Sequence, residues 1–216
     1  MIYFISDIHA DIRFKGLQEY LKTATDDDLL IVLGDVGLQF ENTEENRAFT
    51  KAFLSSKKKI AFLDGNHENF AYLNGFPTEE WNGGKVHRLS ENVVHLIRGN
   101  IYSIDGKNFF VFGGCKSSEK WAKMGLWFDG ETASEQERKF AENNLLSHKL
   151  CVDYILTHKL ETDGAHPHLD ENLYLLHTFI RGFVSYRKWY FGHLHSKLVL
   201  DEKHACIYDD LVLLDE

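Results

Sequence analysis

Short apolar runs alternate with polar segments through much of the chain, and these runs are rich in β-branched or aromatic residues. Five of them lie at residues 3–5, 29–33, 60–63, 151–156 and 189–191. Runs of this length and composition predict strands that are buried on both faces of a sheet. Between the first three runs, apolar residues recur at helical spacing around Leu17 and Phe49. This alternation predicts a βαβ start and a sheet that is at least partly parallel.

The middle of the chain adds antiparallel signals to this parallel start. Further strand-like runs lie at residues 93–97, 101–104, 108–112, 206–208 and 211–214. The dipeptide Asp105-Gly106 separates two of them and predicts a two-residue hairpin turn. Helices are predicted over residues 134–146, which start with the spacing of a capping box, and over residues 173–184. The pattern therefore predicts an α/β fold in which both kinds of strand pairing occur.

Composition limits the classes of partner. The 216 residues are 44% hydrophobic, which suffices for a sizeable core, and the formal net charge is -9. An acidic balance argues against binding of long nucleic acid, which usually requires a basic face. The basic run at residues 57–59 is predicted to be a solvated helix end. A small phosphorylated substrate remains compatible, because bound divalent ions would reverse the local charge. No linker or repeat divides the sequence, so residues 1–216 are predicted to form a single domain.

The cysteines and the start of the chain bear on localisation. Cys115, Cys151 and Cys206 form no C-x-x-C pair, which favours a reducing compartment over a disulfide framework. The chain begins with a predicted strand rather than a signal segment, and no apolar run approaches membrane-spanning length. We therefore expect a cytoplasmic protein that does not bind a membrane.

Metal-ligand-type side chains follow the five strands that are predicted to be buried. They are Asp7, His9, Asp35, Asn66, His158, His193 and His195. Ligands of open α/β sheets bind at the carboxyl ends of the strands, so these loops are expected to meet there. Oxygen and imidazole donors without a thiolate suit Mn, Fe, Zn or similar ions. Two such ions about 3.5–4 Å apart can hold the attacking and leaving oxygens of a phosphoryl displacement.

The individual motifs differ in specificity. Asp7 and His9 would share a side on extended backbone, but the pair fits a turn aspartate and a surface histidine equally well. Asp35 follows a glycine in common turn chemistry, and a lone histidine such as His158 is more often structural. The Gly-Asn-His-Glu block at residues 65–68 is much more specific. The other histidines are expected at surface or loop positions: His87, His95, His148, His166, His168, His177 and His204.

The order Asp-x-His, Gly-Asp, Gly-Asn-His-Glu, His and Gly-His-x-His resembles the calcineurin-like metallophosphoesterases from Asp7 to His195. The resemblance implies a four-layer α/β/β/α sandwich of two mixed sheets, with a dinuclear metal centre at the carboxyl ends of strands. It implies that the first metal is held by Asp7, His9, Asp35 and His195. It implies that the second metal is held by Asp35, Asn66, His158 and His193. Asp35 would bridge the ions, and His67 would contact the phosphate and assist the leaving oxygen.

One departure from the family pattern concerns the second block. Protein phosphatases of the family extend it to Gly-Asp-x-Val-Asp-Arg-Gly, whereas Leu38 and Gln39 stand here in place of the aspartate and the arginine. The chain is therefore predicted to lie outside the protein phosphatase branch. His67 also lacks the aspartate that would orient it, and Asp64 and Glu68 are its nearest carboxylates in sequence.

The predicted activity is hydrolysis of a small phosphomonoester or phosphodiester by a hydroxide that two metal ions activate. His67 and Asp35 are the predicted catalytic residues. Asn66, His67, Lys120 and Trp121 are predicted to contact substrate. The last two belong to segment 116–131, which would form a lid, although a surface loop whose tryptophans pack on the core gives the same pattern.

Two other functions remain open at this point. A catalytically weak or inactive metal-binding scaffold could use the same fold, but the complete set of ligands and His67 argue against it. A nuclease or nucleotide phosphodiesterase is the other alternative, and the acidic balance argues against a long nucleic acid as its substrate.

Overall fold

The computed structural model describes residues 1–124, 128–161 and 170–214. Within them, thirteen strands form two mixed sheets. The first sheet contains β1 (Ile2–Ile5), β2 (Leu29–Leu33), β3 (Lys59–Leu63), β4 (Thr78–Trp81), β5 (Gly84–Arg88), β6 (Val93–Leu96) and β13 (Val212–Leu213). The second contains β7 (Ile101–Ile104), β8 (Lys107–Phe112), β9 (Tyr154–Thr157), β10 (Lys188–Phe191), β11 (Leu198–Val199) and β12 (His204–Cys206). The helices are α1 (Lys15–Thr23), α2 (Glu44–Leu54), α3 (Phe70–Leu73), α4 (Glu119–Lys123), α5 (Glu135–Ser147) and α6 (Glu171–Phe183).

Each sheet has a parallel centre with antiparallel edges. The order of the first sheet is β13-β1-β2-β3-β6-β5-β4, in which β1, β2, β3 and β6 are parallel. The order of the second is β11-β12-β10-β9-β8-β7, in which β12, β10, β9 and β8 are parallel. The parallel strands place their carboxyl ends at one edge of each sheet, and the loops that follow them carry the predicted ligands.

The central strands are buried on both faces, which explains their continuous apolar sequence. In β2, Ile31 lies in the core between the two sheets, whereas Leu30 and Val32 pack on the side of α1 and α2. In β9, Leu156 lies in the core between the sheets, and Ile155 packs on the side of α5 and α6. The layers are therefore helix, sheet, sheet and helix, as the resemblance implied.

Most of the predicted elements are confirmed within a few residues at their ends. Asp105 and Gly106 both have positive φ and form the turn of the β7–β8 hairpin. The capping box at the start of α5 is also present. The strand predicted over residues 151–156 begins only at Tyr154. The β4–β5 hairpin was not predicted, although Asn82-Gly83 gives it the same turn signal.

Two predictions about polar residues are wrong. His87, His95 and His177 are buried rather than on the surface. His87 and His95 lie on paired strands with their Nδ1 atoms 3.1 Å apart, and His177 faces the core from α6. The basic run at residues 57–59 is not a helix end, since α2 ends at Leu54 and Lys59 begins β3. His148 is exposed as predicted, and His166 and His168 lie outside the described residues.

Within residues 1–124, 128–161 and 170–214, no helix combines the length and the apolar character that a membrane span requires.

Candidate metal centre

The structure brings the side chains of the predicted ligands together at the carboxyl ends of five parallel strands. Asp7 and His9 follow β1, Asp35 follows β2, and Asn66 follows β3. From the second sheet, His158 follows β9, and residues 193 and 195 follow β10. Groups of their ligand atoms lie within 4.8 Å of one another. Both sheets therefore contribute to one site.

Five of the candidate ligands have left-handed backbone. Their φ values are 60° at Asp7, 48° at His9, 51° at Asp35, 70° at His193 and 46° at His195. The extended backbone that was expected to align the i and i+2 side chains is therefore wrong, although the side chains do converge. Non-glycine residues in this region cost on the order of 1–3 kcal/mol each and are concentrated at functional sites. The loops that carry these ligands therefore leave the extended conformation of the strands that they follow.

The first group of ligand atoms contains two imidazoles and two carboxylates. His9 Nε2 lies 3.0 Å from His195 Nε2 and 3.6 Å from Asp35 Oδ2. His195 Nε2 lies 3.5 Å from Asp7 Oδ1. Asp7 Oδ1 is buried and has no hydrogen-bond partner. A buried carboxylate oxygen without a partner is costly, and a bound cation would satisfy it.

The second group lies on the other side of Asp35. His158 Nε2 is 3.2 Å from Asn66 Oδ1, 3.3 Å from His193 Nδ1 and 3.5 Å from Asp35 Oδ1. The thiol of Cys115 joins this group, with Sγ 3.1 Å from Asn66 Oδ1 and 3.6 Å from His193 Nδ1. The ligand set was predicted from oxygen and imidazole donors alone, so the sulfur is a difference from that prediction.

The charges of the site call for a cation. Burial by itself would lower the pKa of His158, but the carboxylates of Asp35 and Asp7 outweigh burial and raise that pKa to about 9. Conversely, His158 holds the pKa of Asp35 below its ordinary value despite the burial of that carboxylate. In the metal-free chain, a proton on His158 thus balances the buried carboxylates. A divalent ion would supply this positive charge instead, so the residues present fit a bound metal.

A line of hydrogen bonds fixes the amide of Asn66. Its Nδ2 donates to Ser117 Oγ at 2.9 Å, which leaves Oδ1 facing the second group of ligand atoms. Ser117 in turn donates to the carboxylate of Glu131, through its backbone N at 2.7 Å and through Oγ at 2.9 Å. Arg98 holds the backbone around Glu131 through the carbonyl oxygens of Gly130 and Glu131. Such outer partners orient metal ligands and tune their affinity.

His158 is oriented in a similar way. Its Nδ1 lies 2.8 Å from the carbonyl oxygen of Leu33, which can only accept a hydrogen bond. Nδ1 therefore carries a proton, and Nε2 faces the other ligand atoms. Because Leu33 is the last residue of β2, the strand that precedes Asp35 also sets the tautomer of a histidine from the second sheet.

Aromatic rings surround the ring of His67. The ring centroids of Phe40, Trp121 and His9 lie 4.8, 4.7 and 5.0 Å from that of His67. The backbone N of His67 donates to Asp35 Oδ1 at 2.7 Å. Packing of this kind restricts the ring, and burial lowers the pKa of His67, so its neutral form predominates at pH 7.

The two nearby carboxylates serve other partners. Glu68 is buried and accepts hydrogen bonds from the backbone N of Val36 at 2.7 Å and of Gly37 at 3.2 Å. Burial, followed by the charge of Asp35, raises the pKa of Glu68 well above its ordinary value. Asp64 pairs with Arg98 and with His95. Glu68 therefore stabilises the loop after β2. His67 is surrounded by aromatic rings in place of the carboxylate partner that the family pattern would supply.

A cavity of about 1150 Å³ opens above these ligands. Its lining includes Phe40 and Trp121 on one side, and the ammonium-bearing residues Lys116 and Lys159. Trp121 thus lies at the cavity, beside the candidate ligands. Lys120 is exposed on α4 with its Nζ 5.9 Å from the Trp121 ring, and it does not line the cavity. Lys116 is better placed to meet a charged substrate, because Lys159 is paired with Glu161, which lines the same cavity, at 2.7 Å.

The sequence is also similar to a known family over most of its length. The family model for calcineurin-like phosphoesterases matches residues 1–197. The chain belongs to this family. The protein is therefore a hydrolase that acts on phosphoester bonds, and it is a metal-dependent phosphoesterase in the general sense of the family. The two mixed sheets and their helices agree with this fold.

Comparisons with individual proteins add little to the family match. No curated protein matches the sequence. Among solved structures, the chain is similar to the protein of unknown function AQ665 from Aquifex aeolicus, with a TM-score of 0.39 and 16% sequence identity. That similarity covers 76% of this chain and 81% of the other chain.

Several residues of the site were not singled out from the sequence as part of it. Cys115 follows β8 after two glycines, at the same edge of the sheet as the ligands after β9 and β10. The rule that found the other ligands, a polar side chain just past a buried strand, would have found it too. Ser117, Glu131 and Phe40 gave no such signal, because their roles depend on contacts between loops far apart in sequence.

Proposed function

We propose that the protein hydrolyses a small phosphomonoester or phosphodiester at a centre of two divalent metal ions. The proposed ligands of the first ion are Asp7, His9, Asp35 and His195. The proposed ligands of the second are Asp35, Asn66, His158 and His193. When bound, two such ions offset the charge of the phosphate oxygens and lower the pKa of coordinated water.

The position of Asp35 carries this proposal. Its Oδ1 faces His158 Nε2 at 3.5 Å, and its Oδ2 faces His9 Nε2 at 3.6 Å. One carboxylate thus directs one oxygen toward each group of ligand atoms, which is the geometry of a bridging ligand. Asp35 is almost fully buried and its loop is held by Glu68, so the carboxylate is fixed before any ion binds.

His67 is the proposed catalytic residue that is not a ligand. It lines the cavity beside the ligands, and its backbone is tied to Asp35. Its neutral imidazole retains one N–H, which can donate to a phosphate oxygen or to the departing alcohol oxygen. Phe40 and Trp121 hold the ring, so little rotational freedom is lost when substrate binds. A positioned donor of this kind contributes about 10²–10⁴-fold to the rate.

The substrate is proposed to be small and phosphorylated. Lys116 supplies a cation to the lining, whereas Lys159 is paired with Glu161 at 2.7 Å. Phe40 and Trp121 offer apolar faces for an aromatic or sugar leaving group. Lys120 was also predicted to bind substrate, and from its exposed position it would act only by reaching over Trp121. Asn66, which was also predicted to contact substrate, is a proposed metal ligand that lines the cavity.

The test combines metal analysis with turnover. Metal-free protein is reconstituted with Mn²⁺, Zn²⁺ or Fe²⁺ and assayed on a panel of chromogenic phosphomonoesters and phosphodiesters. We expect metal-dependent hydrolysis with about two ions per chain, in line with two-metal sites. Asp35→Asn should reduce the occupancy of both positions. Full metal content in Asp35→Asn would refute the bridging role, and an inert protein with two bound ions would refute the proposed substrates.

A further inference from the structure

We propose that Cys115 is a thiolate ligand of the second metal position and makes that position prefer softer divalent ions. The inference rests on the proposed function, because it requires an ion between Asn66, His158 and His193. It goes further by adding a fifth side chain to the donors of that position. It also distinguishes the two positions chemically, since the first position has only oxygen and imidazole donors.

The backbone after β8 places the sulfur in the site. β8 pairs in parallel with β9 so that Phe112 is the partner of Thr157, the residue before His158. The next two residues are glycines that pass through a narrow space. A Cβ at Gly113 would lie 2.4 Å from the carbonyl oxygen of Asp64, and one at Gly114 would lie 2.2 Å from Arg98 Nη2. Only glycines fit there, and the turn they make leaves Cys115 beside His158.

The distances between Sγ and the neighbouring nitrogen atoms match those between two ligands of a single metal ion. Sγ lies 3.6 Å from His193 Nδ1, and that nitrogen lies 3.3 Å from His158 Nε2. At bond angles of about 110°, the usual zinc bond lengths separate a sulfur and a nitrogen ligand by about 3.6 Å and two nitrogens by about 3.3 Å. The donor atoms are thus spaced as ligands of a single ion.

Packing alone does not explain this arrangement. Cys115 is fully buried and touches the core beside α5, as a small apolar residue would. Its Sγ nevertheless points to Asn66 Oδ1 and His193 Nδ1, both of which are proposed ligand atoms. Cys206 provides a comparison: it is also buried and close to the site, but the partners of its Sγ are backbone groups. They are the oxygens of Gly192 at 3.4 Å and Ile207 at 3.9 Å, and the N–H groups of Leu194 and Ser196.

Binding would convert the thiol into a thiolate. The S–H bond is lost, a sulfur–metal bond forms with the sulfur electron pair, and the proton leaves to solvent; no oxidant is involved. A coordinated thiol is deprotonated by the charge of the ion. Thiolates favour zinc and similar ions over manganese and magnesium, which prefer oxygen donors. Cys115 would therefore bias the second position towards Zn²⁺.

Cobalt reports thiolate ligation directly. The metal-free full-length chain is titrated with Co²⁺, and the near-ultraviolet absorption is followed together with the number of bound ions. We expect a sulfur-to-cobalt charge-transfer band in the wild type that is absent from Cys115→Ala and Cys115→Ser and unchanged in Cys206→Ala. A band that survives in Cys115→Ala, or a wild type with two bound ions and no band, would overturn the proposal.

Competition between metals supplies a second readout. Cys115→Ser should lower the Zn²⁺ affinity of one position by more than about tenfold, while the Mn²⁺ affinity changes little. Removal of an outer partner of a metal ligand already costs about tenfold, so loss of a ligand should cost more. Equal changes for both metals would show that the residue only fills space. If the wild type binds neither metal, the proposed dinuclear centre itself fails, whereas two bound ions without selectivity refute only the role of Cys115.

Discussion

Gly65 lies directly against Asp35: a Cβ on this glycine would be 2.0 Å from Asp35 Oδ1. The residue that begins the Gly-Asn-His-Glu block is therefore small because the proposed bridging carboxylate occupies the adjacent space. The same contact joins the loop after β2 to the loop after β3, which carries Asn66 and His67. The position of one proposed ligand thus limits the residue type in the neighbouring loop.

Gly65→Ala should displace Asp35 and reduce metal binding at both positions. The added methyl group cannot be accommodated without moving the carboxylate or the backbone, so we expect a loss of more than about tenfold in metal affinity, as for other disturbed ligand shells. Isothermal titration with Zn²⁺ measures it. Gly182→Ala is the control, because nothing lies within 4 Å of a Cβ there and the fold should tolerate it. Unchanged affinity in Gly65→Ala would contradict the contact.

His67→Ala should retain metal and fold but lose about 10²–10⁴-fold in kcat. The loss should be smaller for p-nitrophenyl esters than for alkyl esters if the ring assists the leaving oxygen, because a good leaving group needs less assistance. Metal content and thermal unfolding serve as controls. Equal losses for both ester classes would remove the leaving-group role and leave only contact with the phosphate.

Ser117→Ala should weaken metal binding without removing a ligand. Ser117 accepts from Asn66 Nδ2 and thereby keeps Asn66 Oδ1 directed at the second position. Loss of such an outer partner typically costs about 10–100-fold in metal affinity or activity. Ser118→Ala, in the next residue of the same loop, is the matched control. The prediction is checked by competition titration with a chromophoric chelator, and identical affinities in the two variants would count against it.

Trp121→Ala should raise KM by roughly 3- to 10-fold for substrates with an aromatic leaving group, the range that a single aromatic contact supplies. Lys116→Ala should have a larger effect than Lys120→Ala, since Lys116 lines the cavity and Lys120 does not. Steady-state kinetics across the substrate panel separates these cases. A Lys120→Ala effect as large as that of Lys116→Ala would mean that the substrate lies beyond the cavity.

The stability of the protein should decrease below about pH 6.5, the ordinary pKa of histidine, because of His177. Burial, with the nearby charges of Arg181 and Lys159, lowers the pKa of His177 to about 3. Between the folded and unfolded values only the unfolded state binds the proton, so acid favours unfolding. The loss from this residue should be about 2 kcal/mol at pH 5.

His177→Asn should reduce this dependence on pH. The asparagine does not titrate, and its amide oxygen can accept from the backbone N of Glu161, as His177 Nδ1 does at 3.0 Å. Urea unfolding of metal-free protein at pH 7 and pH 5 measures the difference, with His148→Asn, at an exposed position, as the control. Parallel losses in wild type and His177→Asn would show that other groups cause the acid sensitivity.

Patterns within short segments predicted an α/β fold with both kinds of strand pairing and the candidate ligands, whereas the four layers were implied only by the family resemblance. Two-sided burial makes strands such as β2 continuously apolar, and the ligands follow the strands directly. The β4–β5 hairpin was not predicted from the sequence, because β4, with the sequence Thr-Glu-Glu-Trp, is a largely polar edge strand. The surroundings of His67 were not predicted, because Phe40 and Trp121 contact it from segments that are distant in sequence and no local pattern indicates such contacts.

The hydrogen bonds from Asn66 through Ser117 to Glu131 give two tasks to one segment of the chain. The segment that begins at Lys116 contributes to the cavity, and the same segment holds a proposed metal ligand in place. Exchange of this whole segment for another would therefore alter substrate choice and metal loading together. Engineering of a new specificity should leave Ser117 and Glu131 untouched and vary Lys116, which lines the cavity, whereas Trp121 also packs against the ring of His67.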